Sequence, residues 1–112
     1  MNLLSVPVVA AFGLAASMMI VGANAQEDGD IEKGLTYARA TCVECHAILP
    51  SQKASPIAQA PTFGAVADTP GMTATALVVW FRTPHKSMPN LIIKGDDMAN
   101  VIAYILSLRG KS

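Results

Sequence analysis

Apolar residues recur at i, i+3, i+4, i+7 and i+8 between Asp96 and Leu108, where Met98, Val101, Ile102, Ile105 and Leu106 form one stripe. This is the strongest helical period in the chain. Asp96 and Asp97 stand where a helix N-terminus favours negative charge, and Arg109, Gly110 and Lys111 mark its end. A second stripe of Ile31, Leu35 and Ala38 predicts a helix from Asp30 to about Cys45, with Asp30 as N-cap and Glu32 in the first turn. Gly34 lowers its propensity, and a glycine inside a helix points to the close approach of another backbone. The two helices are therefore expected to cross, with Gly34 admitting Tyr104 or Ala103. A third helix runs from Thr73 or Thr75 to Arg82, opened by a threonine cap after Pro70-Gly71 and stopped by Pro84. Leu77, Trp80 and Phe81 share one face of it. No strand-like alternation and no internal repeat appear, so the fold class is all-α.

Two segments do not fit this pattern. The first is the apolar run from Leu3 to Val21, which ends at Ala23-Asn24-Ala25 before polarity changes abruptly at Gln26-Glu27-Asp28. Small residues at the positions read by a signal peptidase make residues 1–25 an export leader cleaved after Ala25, and residues 26–112 the mature domain. The run is also long enough to span a bilayer as an uncleaved N-terminal anchor, and no Lys or Arg precedes it. The second is the stretch between His46 and Met72, with four prolines and no convincing period. A connection of that length in a compact domain needs something to wrap around.

Composition narrows the class further. The 112 residues carry eight basic and eight acidic side chains, all of them after residue 25, so the exported domain is formally neutral and has no nucleic-acid footprint. Removing the leader leaves 87 residues. At that size a polypeptide core supplies little net stability and some staple is usually needed.

The staple is suggested by Cys42-Val43-Glu44-Cys45-His46, which uses both cysteines of the chain. Two thiols three positions apart with an imidazole directly after the second form the attachment pattern of c-type haem. On a helical turn each sulfur can reach one vinyl group of the porphyrin while His46 ligates the iron. A redox dithiol would need a strand before the motif and βαβ units around it, and neither is present. A zinc site would have to use adjacent Cys45 and His46 with remote His85, an awkward tetrahedral set.

An electron-carrying haem iron takes a sixth ligand, and the candidates are the methionines and His85. Met88 leads them, because it lies in the loop Ser87-Met88-Pro89-Asn90 where Pro89 stiffens the backbone that presents the thioether. His85 is the rival, three residues away in the same loop. Met98 reads as core of the last helix, and Met72 lies in a turn before the middle one. The imidazole of His46 needs an acceptor to fix its plane. Pro61 is the candidate for its carbonyl, within Ala60-Pro61-Thr62-Phe63, with Phe63 packing on the haem.

In this order, Gly34-Leu35-Thr36-Tyr37-Ala38, the haem motif, Ala60 to Phe63, the Leu77-to-Pro84 helix, Ser87 to Asn90 and Ala103-Tyr104-Ile105 resemble the class I mono-haem cytochromes c. The match runs from about Gly29 to Leu108 and is similar to the compact bacterial kind, since only three residues separate Pro84 from Met88. Many relatives carry an aromatic four residues before the first cysteine, where this chain has Ala38 with Tyr37 beside it. The resemblance implies about three helices wrapped around one covalently bound haem c, outside which the leader lies. It implies His46 as proximal ligand and Met88 as distal ligand. Leu77, Trp80 and Phe81 would line the distal pocket, with Trp80 on the Met88 side. Assembly outside the cytoplasm is implied too, with a periplasmic domain, free or anchored to the membrane. The expected function is single-electron transfer between redox partner proteins, with no enzymatic step and Lys53, Lys86 and Lys94 near the exposed edge. An enzyme or gas sensor with an open distal site, and a subunit of a larger redox complex, are the other function classes.

Overall fold

A computed structural model describes residues 29–112, together with residues 7, 8, 10 and 13. The export leader expected over residues 1–25 and its cleavage site lie, those four positions apart, outside the described residues. Among the described residues the fold is all-helical: α1 (Ile31–Thr41), α2 (Phe63–Asp68), α3 (Ala74–Arg82) and α4 (Gly95–Ser107). No described helix is long and apolar enough to cross a membrane.

α4 is the hub. Its stripe buries Val101, Ile102, Tyr104 and Ile105, and α1, α2 and α3 each pack against it while making no packed contact with one another. α1 starts as its sequence requires, with Asp30 Oδ1 accepting the Lys33 N–H at 2.9 Å. Its Gly34 lies directly against the Asn100 carbonyl of α4, and a Cβ there would come within 2.8 Å of the Tyr104 Cβ. The expected partner Tyr104 is therefore the right one for Gly34. Ala103 instead meets Gly29, where a Cβ would lie 2.9 Å from the Ala103 Cβ. The crossing is sealed by Asn100, whose buried Oδ1 accepts the Asp30 N–H at 2.7 Å.

Three sequence expectations need correction. The first helix stops at Thr41 and does not reach Cys45. After the Cys42 N–H bonds to the Ala38 carbonyl at 2.8 Å, the N–H groups of Cys45 and His46 both turn to the Cys42 carbonyl, at 3.3 and 2.9 Å. Two donors converging on one carbonyl tighten the chain into a closing turn. Among the described residues there are four helices where about three were expected, because α2 lies within the stretch expected to be structureless. Thr62 caps it by accepting the Ala65 N–H at 3.0 Å, but six residues cannot display a 3.6-residue period. Finally, Leu77, Trp80 and Phe81 do not share one environment. Leu77 is buried in the core, Phe81 packs half-buried against it, and Trp80 is 55% exposed. Trp80 is offset from the 77/81 line around the helix, so it falls at the edge of the stripe that α3 turns to α4.

Candidate functional site

The closing turn after α1 sets out the motif. Cys42 is buried at the base of the core and Cys45 is half-buried, and both are free thiols. Burial, and then repulsion from Cys45, pushes the Cys42 thiol up to about 11, so it stays protonated at neutral pH. His46 follows, half-buried, with its Nδ1 2.6 Å from the Pro61 carbonyl oxygen. A carbonyl can only accept, so Nδ1 carries the proton and donates it. In the neutral imidazole this bond fixes the tautomer that has its lone pair on Nε2, and Nε2 has no partner among the described residues.

The loop of residues 46–62 is folded back on this turn by its own polar side chains. The Ser55 hydroxyl accepts the Ala47 N–H at 2.9 Å, and Gln52 Oε1 accepts the N–H groups of Ile48 and Leu49 at 3.0 Å each. The Ile57 N–H reaches the Cys45 carbonyl at 3.3 Å, and the Phe63 N–H reaches the Ala47 carbonyl at 2.9 Å. Phe63 is then set 5.5 Å from the His46 ring and 6.4 Å from that of Tyr104, tilted to both. The Tyr104 hydroxyl donates to the Ile48 carbonyl at 2.6 Å, which ties the loop to α4.

Met88 lies elsewhere, in a cleft of about 390 Å³ lined by Trp80, Phe81, Pro84, His85, Met88 and Ile92 among others. Trp80 and Phe81 thus line the same cleft as Met88. Leu77 is not a lining residue, since its side chain is spent in the core. His46, Pro61 and Phe63 form one cluster and Trp80, Phe81, His85 and Met88 another; the cleft wall includes neither cysteine nor His46. His85 stacks on Trp80 with ring centroids 4.2 Å apart and planes 23° from parallel. Among the described residues no group of three or more His, Cys, Asp and Glu side chains is arranged to hold a metal ion.

Gln52, Ser55 and the Tyr104 hydroxyl brace the motif and are not legible as such from the sequence. A loop rich in Ser and Gln signals side-chain-to-backbone bonding in general, but not which amide each will meet. Comparisons with protein families, curated proteins and solved structures give no match for this chain.

Proposed function

We propose that the chain is a single-electron carrier holding one covalently attached haem c, ligated by His46 and Met88, in the manner of a small class I cytochrome c. The reading is carried above all by the His46 imidazole. Its Nδ1–H is committed to the Pro61 carbonyl at 2.6 Å while Nε2 has no partner among the described residues, immediately after a pair of free thiols on one turn. An imidazole held in this way is prepared as a metal ligand, because the second hydrogen bond fixes the ring plane and strengthens the donor nitrogen.

The donor set fits the group. Cys42 and Cys45 would hold it by thioether bonds, His46 through Nε2 and Met88 through its sulfur. Haem c supplies an iron that changes charge by one, and a thioether ligand favours its ferrous form. Phe63 packs beside the imidazole, and Trp80 and Phe81 line the cleft that holds Met88. The stack on Trp80 gives His85 a place of its own in the loop, which favours Met88 as sixth ligand. The same reading puts the domain in the periplasm, free or anchored, between donor and acceptor proteins and with no substrate chemistry.

The deciding measurement is the pyridine haemochrome spectrum of the exported protein, expected to report one covalently attached haem per chain. A protein exported without haem overturns the proposal. The weak far-red band of a thioether on ferric iron should be present in the parent and absent from Met88→Ala. Its absence from the parent would remove the His46/Met88 assignment. The reduced parent should hardly react with carbon monoxide, whereas rapid binding would favour an open-site enzyme or sensor.

A further inference from the structure

α2 is six residues long, too short to keep a helical form from its own hydrogen bonds. Phe63 and Ala67 anchor it by burial, which is not directional. Its directional restraints come from its two ends. At the start, the Pro61 carbonyl accepts from His46 and the Phe63 N–H donates to Ala47. At the far end, the residues after Leu108 close over it. Arg109 Nε donates to the Ala67 carbonyl at 3.1 Å and its Nη2 to the Met72 carbonyl at 2.5 Å. Asp68 Oδ1 accepts the Gly110 N–H at 2.7 Å, and Oδ2 accepts the Ser112 hydroxyl. Gly64 admits this closure, because a Cβ there would come within 2.7 Å of the Ser112 Cβ.

We infer that Arg109 and Asp68 are positioning residues for His46: by clamping the far end of α2 they fix the Pro61 carbonyl that sets the plane of the imidazole. The inference rests on the proposed role of His46 as an iron ligand. The lever arm is short and stiff. A helix of six residues is about 9 Å long, so a tilt of roughly 7° moves its start by about 1 Å. That displacement is enough to take the 2.6 Å contact between His46 and Pro61 out of hydrogen-bonding range. One side chain, Arg109, bridges the last turn of α2 and the turn that follows it, so it restrains both the position and the tilt.

The test compares Arg109→Ala and Asp68→Ala with the parent as full-length haem-bearing proteins. Hydrogen exchange at the Phe63 amide, which bonds to Ala47, is read against that at the Gly34 amide, which bonds to Asp30 inside the first helix. The expected result is exchange at Phe63 roughly tenfold faster or more, with Gly34 unchanged. The reduction potential should rise, because a weaker Nδ1–H bond leaves a poorer donor at Nε2. Arg109→Lys, able to reach one of the two carbonyls, should recover part of both effects. Equal acceleration at the two amides, no acceleration at either, or a Phe63 amide unprotected in the parent overturns the clamp. A loosened Phe63 amide with an unmoved potential overturns the positioning role. A chain found to carry no haem sinks the ligand reading on its own, and the amide comparison then still decides whether the clamp holds α2.

Discussion

Tyr104 and Asp68 illustrate how single polar atoms decide the shape of the site. The Tyr104 hydroxyl is buried and gives its proton to the Ile48 carbonyl at 2.6 Å, two residues beyond His46. Tyr104→Phe keeps the ring and leaves that carbonyl without its donor, so the loss in chemical denaturation should be about 1–2 kcal/mol. A neutral result would show that the other bonds of the loop hold it without the Tyr104 hydroxyl. Asp68 is exposed, and the Ser112 hydroxyl, the Gly110 N–H and the Arg109 charge hold its carboxyl below the usual aspartate range. The charged form is therefore the one the fold favours. Its stabilising contribution is present above the ordinary aspartate pKa and fades as pH falls through the lowered native value. Asp68→Asn should consequently lower the thermal midpoint at neutral pH, and the gap from the parent should close on acidification. A gap that persists in acid would mean that charge has no part in the contact.

The crossing of α1 and α4 was the most legible element of the chain, and the reason is physical. Long stripes, an aspartate cap and a glycine set among apolar residues are all local signals, and each specifies what must lie opposite it. Gly34→Ala tests this directly. Intrinsic propensity favours alanine by about 1 kcal/mol. The added methyl, however, meets the Asn100 carbonyl and the Tyr104 Cβ, neither of which can yield without parting the helices. Overpacking of that kind costs about 1–3 kcal/mol, so the variant should melt at lower temperature than the parent. A higher midpoint would show that the helices can separate cheaply. The elements that escaped notice lacked such signals. α2 is shorter than two turns, and the end of α1 depends on two amides choosing the Cys42 carbonyl, which no residue type announces. At the candidate site the contact between His46 and the Pro61 carbonyl could be expected from the sequence, because an imidazole held as a ligand needs an acceptor for its other nitrogen. Burial of Leu77 away from the cleft could not, because it is set by how α3 turns on α4.

At the scale of the whole molecule, cohesion between the helices of the described residues runs through α4, since α1, α2 and α3 pack on it and not on one another. Val101 and Ile102 are the largest fully buried side chains, whereas Val79, Trp80 and Ile92 are largely exposed on the α3 side. A small domain with its apolar surface distributed in this way gains little from the polypeptide core against the entropy of ordering the chain. On the proposed function, the missing cohesion comes from one rigid group bonded to Cys42, Cys45, His46 and Met88, which lie in the segment after α1 and in the loop after α3. The double substitution Cys42→Ala and Cys45→Ala tests this, because it removes both points of attachment while keeping small apolar groups at the base of the core. The expected product exports without haem and loses helical signal gradually on heating, with no calorimetric peak. The haem-bearing parent should instead unfold in one cooperative transition. A sharp transition in the double variant would mean that α4 and its three neighbours suffice as a core, and haem would then be a passenger on an independently stable fold.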